Sequence, residues 1–192
     1  MHVLAKYGGV WSDASLVPRT SFQWILDEQK KRGVEFIGFY RKSATKQPDW
    51  PVIESWFFAC TPGCKFVEQW RDELGVMNTL DKEADYQQNV KDRGVDVQDI
   101  PQPDYLNVYL SAQVVLQKSM TPDEIRSKIY VIDSEEGPFK HSVSSDWDAA
   151  KAMQWLCDTP SSELPDIIKV YGNERRAIDA DENLRCAYKI FD

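Results

Sequence analysis

The feature that most constrains this chain is the stretch Tyr7-Gly8-Gly9-Val10-Trp11-Ser12-Asp13-Ala14-Ser15, close to its start. Two adjacent glycines do not continue a helix cheaply, because each surrenders more backbone freedom on folding than any other residue. They act as punctuation. His2 to Tyr7 reads as the last turns of a helix, Gly8 or Gly9 as the left-handed residue that closes it, and Val10-Trp11 as the entry to a short buried strand. Asp13 then falls at the carboxyl end of that strand, the edge at which open α/β sheets bind ligands. From the residues alone, Asp13 is either a ligand-facing carboxylate or a group that caps and solvates a strand end.

Length and composition narrow the class. At 192 residues the chain is expected to form a single domain, 1–192, with room for a sizeable core. Aromatic residues make up 12%, which suits either a well-filled core or surfaces that stack on sugar faces. The formal charge of −8 argues against general nucleic-acid binding, which requires a basic face. Cys60 and Cys64 are spaced too widely for a Cys-x-x-Cys pair and no His accompanies them, so zinc is not expected. Buried free thiols are the default reading for all four cysteines, and with it a reducing compartment. No secretory signal pattern and no apolar run of bilayer length is visible, which gives the expectation of a soluble, cytoplasmic protein without a transmembrane segment.

Taken in order, apolar strands alternate with helices, the pattern of an α/β fold. Phe22 to Arg32 has helical spacing and ends at Gly33; Glu35 to Tyr40 reads as a buried strand. Arg41 to Trp50 reads as a surface loop, with Arg41 and Lys42 either solvated or facing phosphate. Ile53 to Cys60 is a second buried strand carrying one misplaced charge, Glu54. A carboxylate inside Val-Ile-Glu-Ser-Trp-Phe-Phe is expensive unless paired or functional. It is either a base, a stabiliser of positive charge or a positioning group toward a substrate, or an ion-pair member at the strand's open end. Thr61-Pro62 reads as the N-cap and first residue of a helix with Phe66, Val67, Trp70 and Leu74 on its core stripe. Asp104 after Pro103 is a natural N-cap for the helix carrying Leu106, Leu110, Gln113 and Gln117. Thr121-Pro122 starts another helix, and Ile129 to Ile132 a short strand. Gly137-Pro138-Phe139-Lys140-His141 reads as a loop offering a cation and an imidazole to an anion, with a structural histidine as the alternative. Ser144 or Ser145 is expected to cap a helix through Cys157 with Trp147 and Leu156 inward. Ile167 to Tyr171 reads as a strand, and Arg175 and Arg176 face phosphate or pair with Asp179 and Asp181.

The stretch from Tyr7 to Ser15 resembles the glycine-glycine, aromatic, Asp-x-Asp signature of glycosyltransferases with the A-type nucleotide-sugar fold. Its Asp-Ala-Ser form is closest to the capsular-polysaccharide-synthesis-like branch. Pro51 to Phe57, Asp104-Tyr105-Leu106 running to Gln113, and Gly137 to His141 extend the likeness over most of the chain. The resemblance implies an α/β, A-type glycosyltransferase-like sheet flanked by helices, and transfer of a sugar from a nucleotide-sugar donor to a glycan or related acceptor. It implies donor contacts from Gly8, Gly9, Asp13, Ser15, Lys140 and His141, and catalytic positions at Glu54 and Asp104. It also implies a Mn²⁺ or Mg²⁺ ion held by Asp13 and His141, since a divalent cation on carboxylate oxygens neutralises the leaving diphosphate. Ser15 departs from the stricter signature by putting a neutral hydroxyl where a second carboxylate would stand. Such enzymes place a nucleotide-binding half before the acidic motif, and almost nothing precedes it here. The expectation is therefore an N-terminally truncated transferase, with a non-catalytic sugar- or protein-binding module as the rival.

Overall fold

The structure, a computed structural model, describes residues 1–77, 79–80, 83–100 and 107–191, without the side chains of residues 83, 84 and 191. In chain order the elements are α1 (His2–Tyr7), β1 (Gly9–Ser12), β2 (Leu16–Pro18), α2 (Gln23–Arg32), β3 (Phe36–Tyr40), β4 (Ile53–Cys60), α3 (Lys65–Met77), α4 (Glu83–Asp92), α5 (Asn107–Lys118), α6 (Pro122–Lys128), β5 (Ile129–Asp133), α7 (Lys140–Val143), α8 (Ala149–Asp158), β6 (Ile167–Lys169) and α9 (Gly172–Ala180), with 3-10 segments at Ser161–Glu163 and Glu182–Phe191. The chain divides into two units, Met1–Ser12 with Trp24–Ile132, and Asp13–Gln23 with Asp133–Asp192. The class is mixed α/β, a small mixed sheet flanked by helices.

The first unit is built on β4. Its strand order is β1-β4-β3-β5, and β4 runs antiparallel to both neighbours, with Cys60 opposite Gly9 on one side and Phe36 on the other. All of β4 except Ser55 is buried, as a near-continuous apolar run in a central strand requires. Phe58 packs there with Phe36, Phe66 and Trp70, whose ring centroids lie 5.0–5.6 Å apart. Helix α5 is buried from Asn107 through Leu116 except at the partly buried Val108, so its sequence shows no polar face. The expected stripe of α3 is present, with Phe66, Val67 and Trp70 fully buried. Gly8 has φ +67, and a Cβ there would meet Cys60 O and Pro62 N at 2.7 Å, so only glycine lets α1 turn back onto β4.

Three local expectations for this unit are corrected. β1 is a half-exposed edge strand rather than a buried one, because only β4 flanks it; Trp11 remains 44% exposed. Helix α3 begins at Lys65, not at Thr61-Pro62. Thr61 N still donates to Glu35 O, and the left-handed Gly63 turns the chain before the helix starts. Arg41 is not a solvated or phosphate-facing group but the partner of Glu54. The Thr121 start holds in detail: Glu124 N donates to Thr121 Oγ1 and Thr121 N to Glu124 Oε2, a reciprocal capping box.

The second unit pairs β2 antiparallel with β6, Leu16 opposite Lys169 and Pro18 opposite Ile167. Val17, Met153, Leu156, Ile168, Val170 and Ile178 form its core. Helix α8 is capped by Asp148, which accepts from Lys151 N at 2.9 Å, not by Ser144 or Ser145. Asp146 and Trp147 both have positive φ, so the chain doubles back before the helix begins, and Trp147 ends 45% exposed instead of inward. Cys157 and Cys186 form a disulfide with Cα atoms 5.2 Å apart, which corrects the reading of four free thiols and removes its support for a reducing compartment. Cys60 and Cys64 are free, and burial pushes their thiols up to about 12 and about 11. Among the described residues no helix is long and apolar enough to cross a membrane.

Candidate functional site

The site assembles in the second unit around a residue that the sequence reading passed over, Lys169. The turn Asp13-Ala14-Ser15 leads directly into β2, with Leu16 N donating to Asp13 O. Because Leu16 lies opposite Lys169, the β2–β6 register carries the lysine side chain back over this turn. Lys169 Nζ donates to Asp13 Oδ2 at 2.8 Å and makes a short hydrogen bond to Ser15 Oγ. The backbone joins the same cluster, since Lys169 N donates to Pro138 O at 3.0 Å and Val170 N to Ser15 O at 3.0 Å. Two motifs more than a hundred residues apart, Asp13 to Ser15 and Gly137 to His141, thus meet on one strand.

The two members of the ion pair differ in exposure. The Lys169 side chain is 8% exposed and that of Asp13 42%. An ammonium so buried requires a partner, because an unpaired charge removed from water is costly. The signal for Lys169 was legible: a charge inside the apolar run Ile167 to Tyr171 is the same kind of anomaly as Glu54 inside β4.

Beyond Pro138 the expected loop closes into the short helix α7. Lys140 stays exposed, but His141 is 1% exposed. Its Nε2 lies 3.2 Å from Ser142 Oγ and 3.3 Å from Glu174 Oε1, while Ser142 Oγ donates to Glu174 Oε1 at 2.7 Å. Those partners assign the ring hydrogen to Nε2, leaving Nδ1 buried without a hydrogen-bond partner among the described residues. Glu174 is itself fixed, its Oε2 accepting from Tyr171 N at 2.7 Å. The aromatic rings of Phe139 and Tyr171 stack at 4.9 Å beside this group. Arg175 and Arg176 bond Val170 O and Asn173 Oδ1 rather than Asp179 and Asp181.

Glu54 belongs to the first unit, and its surroundings are closed. It is 0% exposed; Arg41 Nε reaches Oε1 at 3.1 Å, and Oε2 accepts from Trp56 Nε1 at 2.8 Å and from the Tyr109 hydroxyl in a short bond. Burial, followed by the charge of Glu54, holds the Tyr109 hydroxyl well above its ordinary value, so it remains a donor. A carboxylate with both oxygens engaged and no exposed surface anchors a strand to a helix and does not reach an acceptor hydroxyl. Gly8 and Gly9 also lie in the first unit, with backbone roles: one ends α1, the other pairs with Cys60. Asp104 lies outside the described residues.

Among the described residues the implied divalent cation finds no matching donor set. Asp13 Oδ2 and Ser15 Oγ are both held by an ammonium group, and His141 Nε2 is committed to Ser142 and Glu174. Among the described residues no three His, Cys, Asp or Glu side chains converge to hold a metal. The residues present therefore do not fit a shell built on Asp13 and His141, which a hard cation would need to draw from several oxygens. Against protein-family models, curated proteins and solved structures, the chain finds no match.

Proposed function

We propose that this chain is a glycosyltransferase, moving a sugar from a nucleotide-sugar donor to a glycan or related acceptor, with the donor's diphosphate received at the Asp13–Ser15–Lys169 cluster. The observation that carries the reading is the convergence on Lys169 of Asp13, Ser15 and the Pro138 carbonyl, which joins the two stretches that resemble A-type transferases. In the reaction, the bond from the anomeric carbon to the diphosphate oxygen breaks and its electron pair stays on that oxygen. A bond forms from the acceptor oxygen to the anomeric carbon, and the acceptor's proton passes to solvent. Fixed cations help most where negative charge develops on the leaving group. Exposed Lys140, two residues beyond Pro138 at the start of α7, supplies a second positive charge.

The test is release of nucleoside diphosphate from a panel of nucleotide sugars, with and without oligosaccharide acceptors. Acceptor-stimulated release is expected, and Lys140→Ala lowers the rate at saturating donor. One observation favours the rival, a non-catalytic module: Glu54, the strongest catalytic candidate in the sequence, is locked into Arg41, Trp56 and Tyr109. On that reading glycan binding is measurable and no donor turns over.

A further inference from the structure

We propose that Lys169 is the resident cation of this site, its ammonium group standing beside Asp13 where a divalent metal would otherwise neutralise the donor's diphosphate. The inference rests on the transferase reading and names the residue that performs the charge neutralisation within it.

Three observations lead there. The ammonium lies 2.8 Å from Asp13 Oδ2 and is also bonded to Ser15 Oγ, so it bridges the two side chains of the acidic motif. A divalent ion held by Asp13 and Ser15 would have to displace this ammonium from both of them. Next, Lys169 is held rigidly. It is 6% exposed, sits in β6 opposite Leu16, and donates its own N–H to Pro138 O. A preorganised charge in a site of low dielectric needs no reorganisation when an anion arrives. Finally, the pair is asymmetric. Asp13, with its side chain 42% exposed, is the solvent-facing partner, whereas the Lys169 side chain is 8% exposed. Asp13 accordingly acts as the internal anion that occupies the ammonium until a diphosphate oxygen displaces it.

This arrangement gives Asp13 and Lys169 opposite signs in a binding experiment. A metal ligand lost at Asp13 weakens nucleotide binding; a competing anion lost at Asp13 does not. The experiment is calorimetric titration of the full chain with ADP, GDP, UDP and CDP, in excess chelator and again with Mn²⁺. Wild type, Lys169→Met, Lys169→Arg and Asp13→Asn are compared, each checked for cooperative thermal unfolding. Expected is binding of one of the four nucleotides in chelator, retained by Lys169→Arg and weakened about tenfold to a hundredfold by Lys169→Met, the loss of one charge-assisted hydrogen bond. Asp13→Asn binds at least as tightly as wild type. If Lys169→Met does not fold, the arginine and asparagine variants still decide the sign. Binding that appears only with Mn²⁺, is weakened by Asp13→Asn and ignores Lys169 overturns this inference and leaves the transferase reading standing. Absence of nucleotide binding in both conditions overturns the two together.

Discussion

Glu54 and Lys169 are the same anomaly in sequence, a charge embedded in an apolar strand, and the fold treats them in opposite ways. Glu54 is enclosed by an arginine, an indole and a phenol, with no exposed surface. Lys169 is also buried, yet its carboxylate partner is 42% exposed, so one half of the pair faces water. In the Glu54 pair the carboxylate is fully buried and the Arg41 side chain 14% exposed, so most of the pair is out of water and its desolvation cost is met by fixed partners. A pair with one exposed member can exchange that member for a ligand. The difference shows that a misplaced charge marks a place of interest, while the exposure of its partner decides what kind.

The contrast is broken most directly at Glu54. Glu54→Ala removes the acceptor of the partly buried Arg41 and of two buried donors, and is expected to cost about 3–5 kcal/mol. Urea unfolding measures it. A cost under about 1 kcal/mol, with activity lost in the folded fraction, would make Glu54 a chemical group after all.

The next effect concerns the second unit. The Cys157–Cys186 bond spans 29 residues between α8 and the closing 3-10 segment, and its removal in Cys157→Ser is expected to cost about 2–4 kcal/mol. Hydrogen exchange localises the loss, which should concentrate in Ala149 to Phe191 and so loosen the unit holding Lys169 more than that holding Glu54. Uniform loss across both would show that the two units unfold as one.

The smallest expected change is Asp13→Asn, which leaves the buried Lys169 ammonium an amide oxygen and Ser15 Oγ but no carboxylate, and is expected to cost about 1–2 kcal/mol. Thermal unfolding within a few degrees of wild type is the expected result. A drop as large as that of Glu54→Ala would erase the distinction drawn between the two charges.

Much of the local structure was legible because its cause lies within a few residues. The glycine after Tyr7, the Thr121–Glu124 box and the Phe66-Val67-Trp70 stripe are each set by hydrogen bonds or periodicity within a single turn or two. Helix starts were misplaced where the chain made one more turn before the helix. Thr61 yielded to a residual strand bond, and Ser144 to the left-handed pair Asp146 and Trp147. For the site, the sequence singled out Asp13, Ser15 and the Gly137 to His141 stretch, but left His141 between a ligand role and a structural one, where the fold sets it beside Glu174. Lys169 was read only as part of a strand.

By itself, then, the sequence determined the elements and the residues whose chemistry needs explanation, since helix caps, periodic apolar faces and misplaced charges are written in neighbouring positions. Only the tertiary structure decided partners. Asp13 meets Lys169 across 156 positions, Cys157 meets Cys186, and β1 lies at an edge rather than inside the sheet. Those outcomes depend on strand register and on which faces are buried, and a register shift of one residue turns every side chain of a strand to its other face. No local pattern around Lys169 specifies that Leu16 will lie opposite it, and it is that pairing which sets the ammonium beside Asp13.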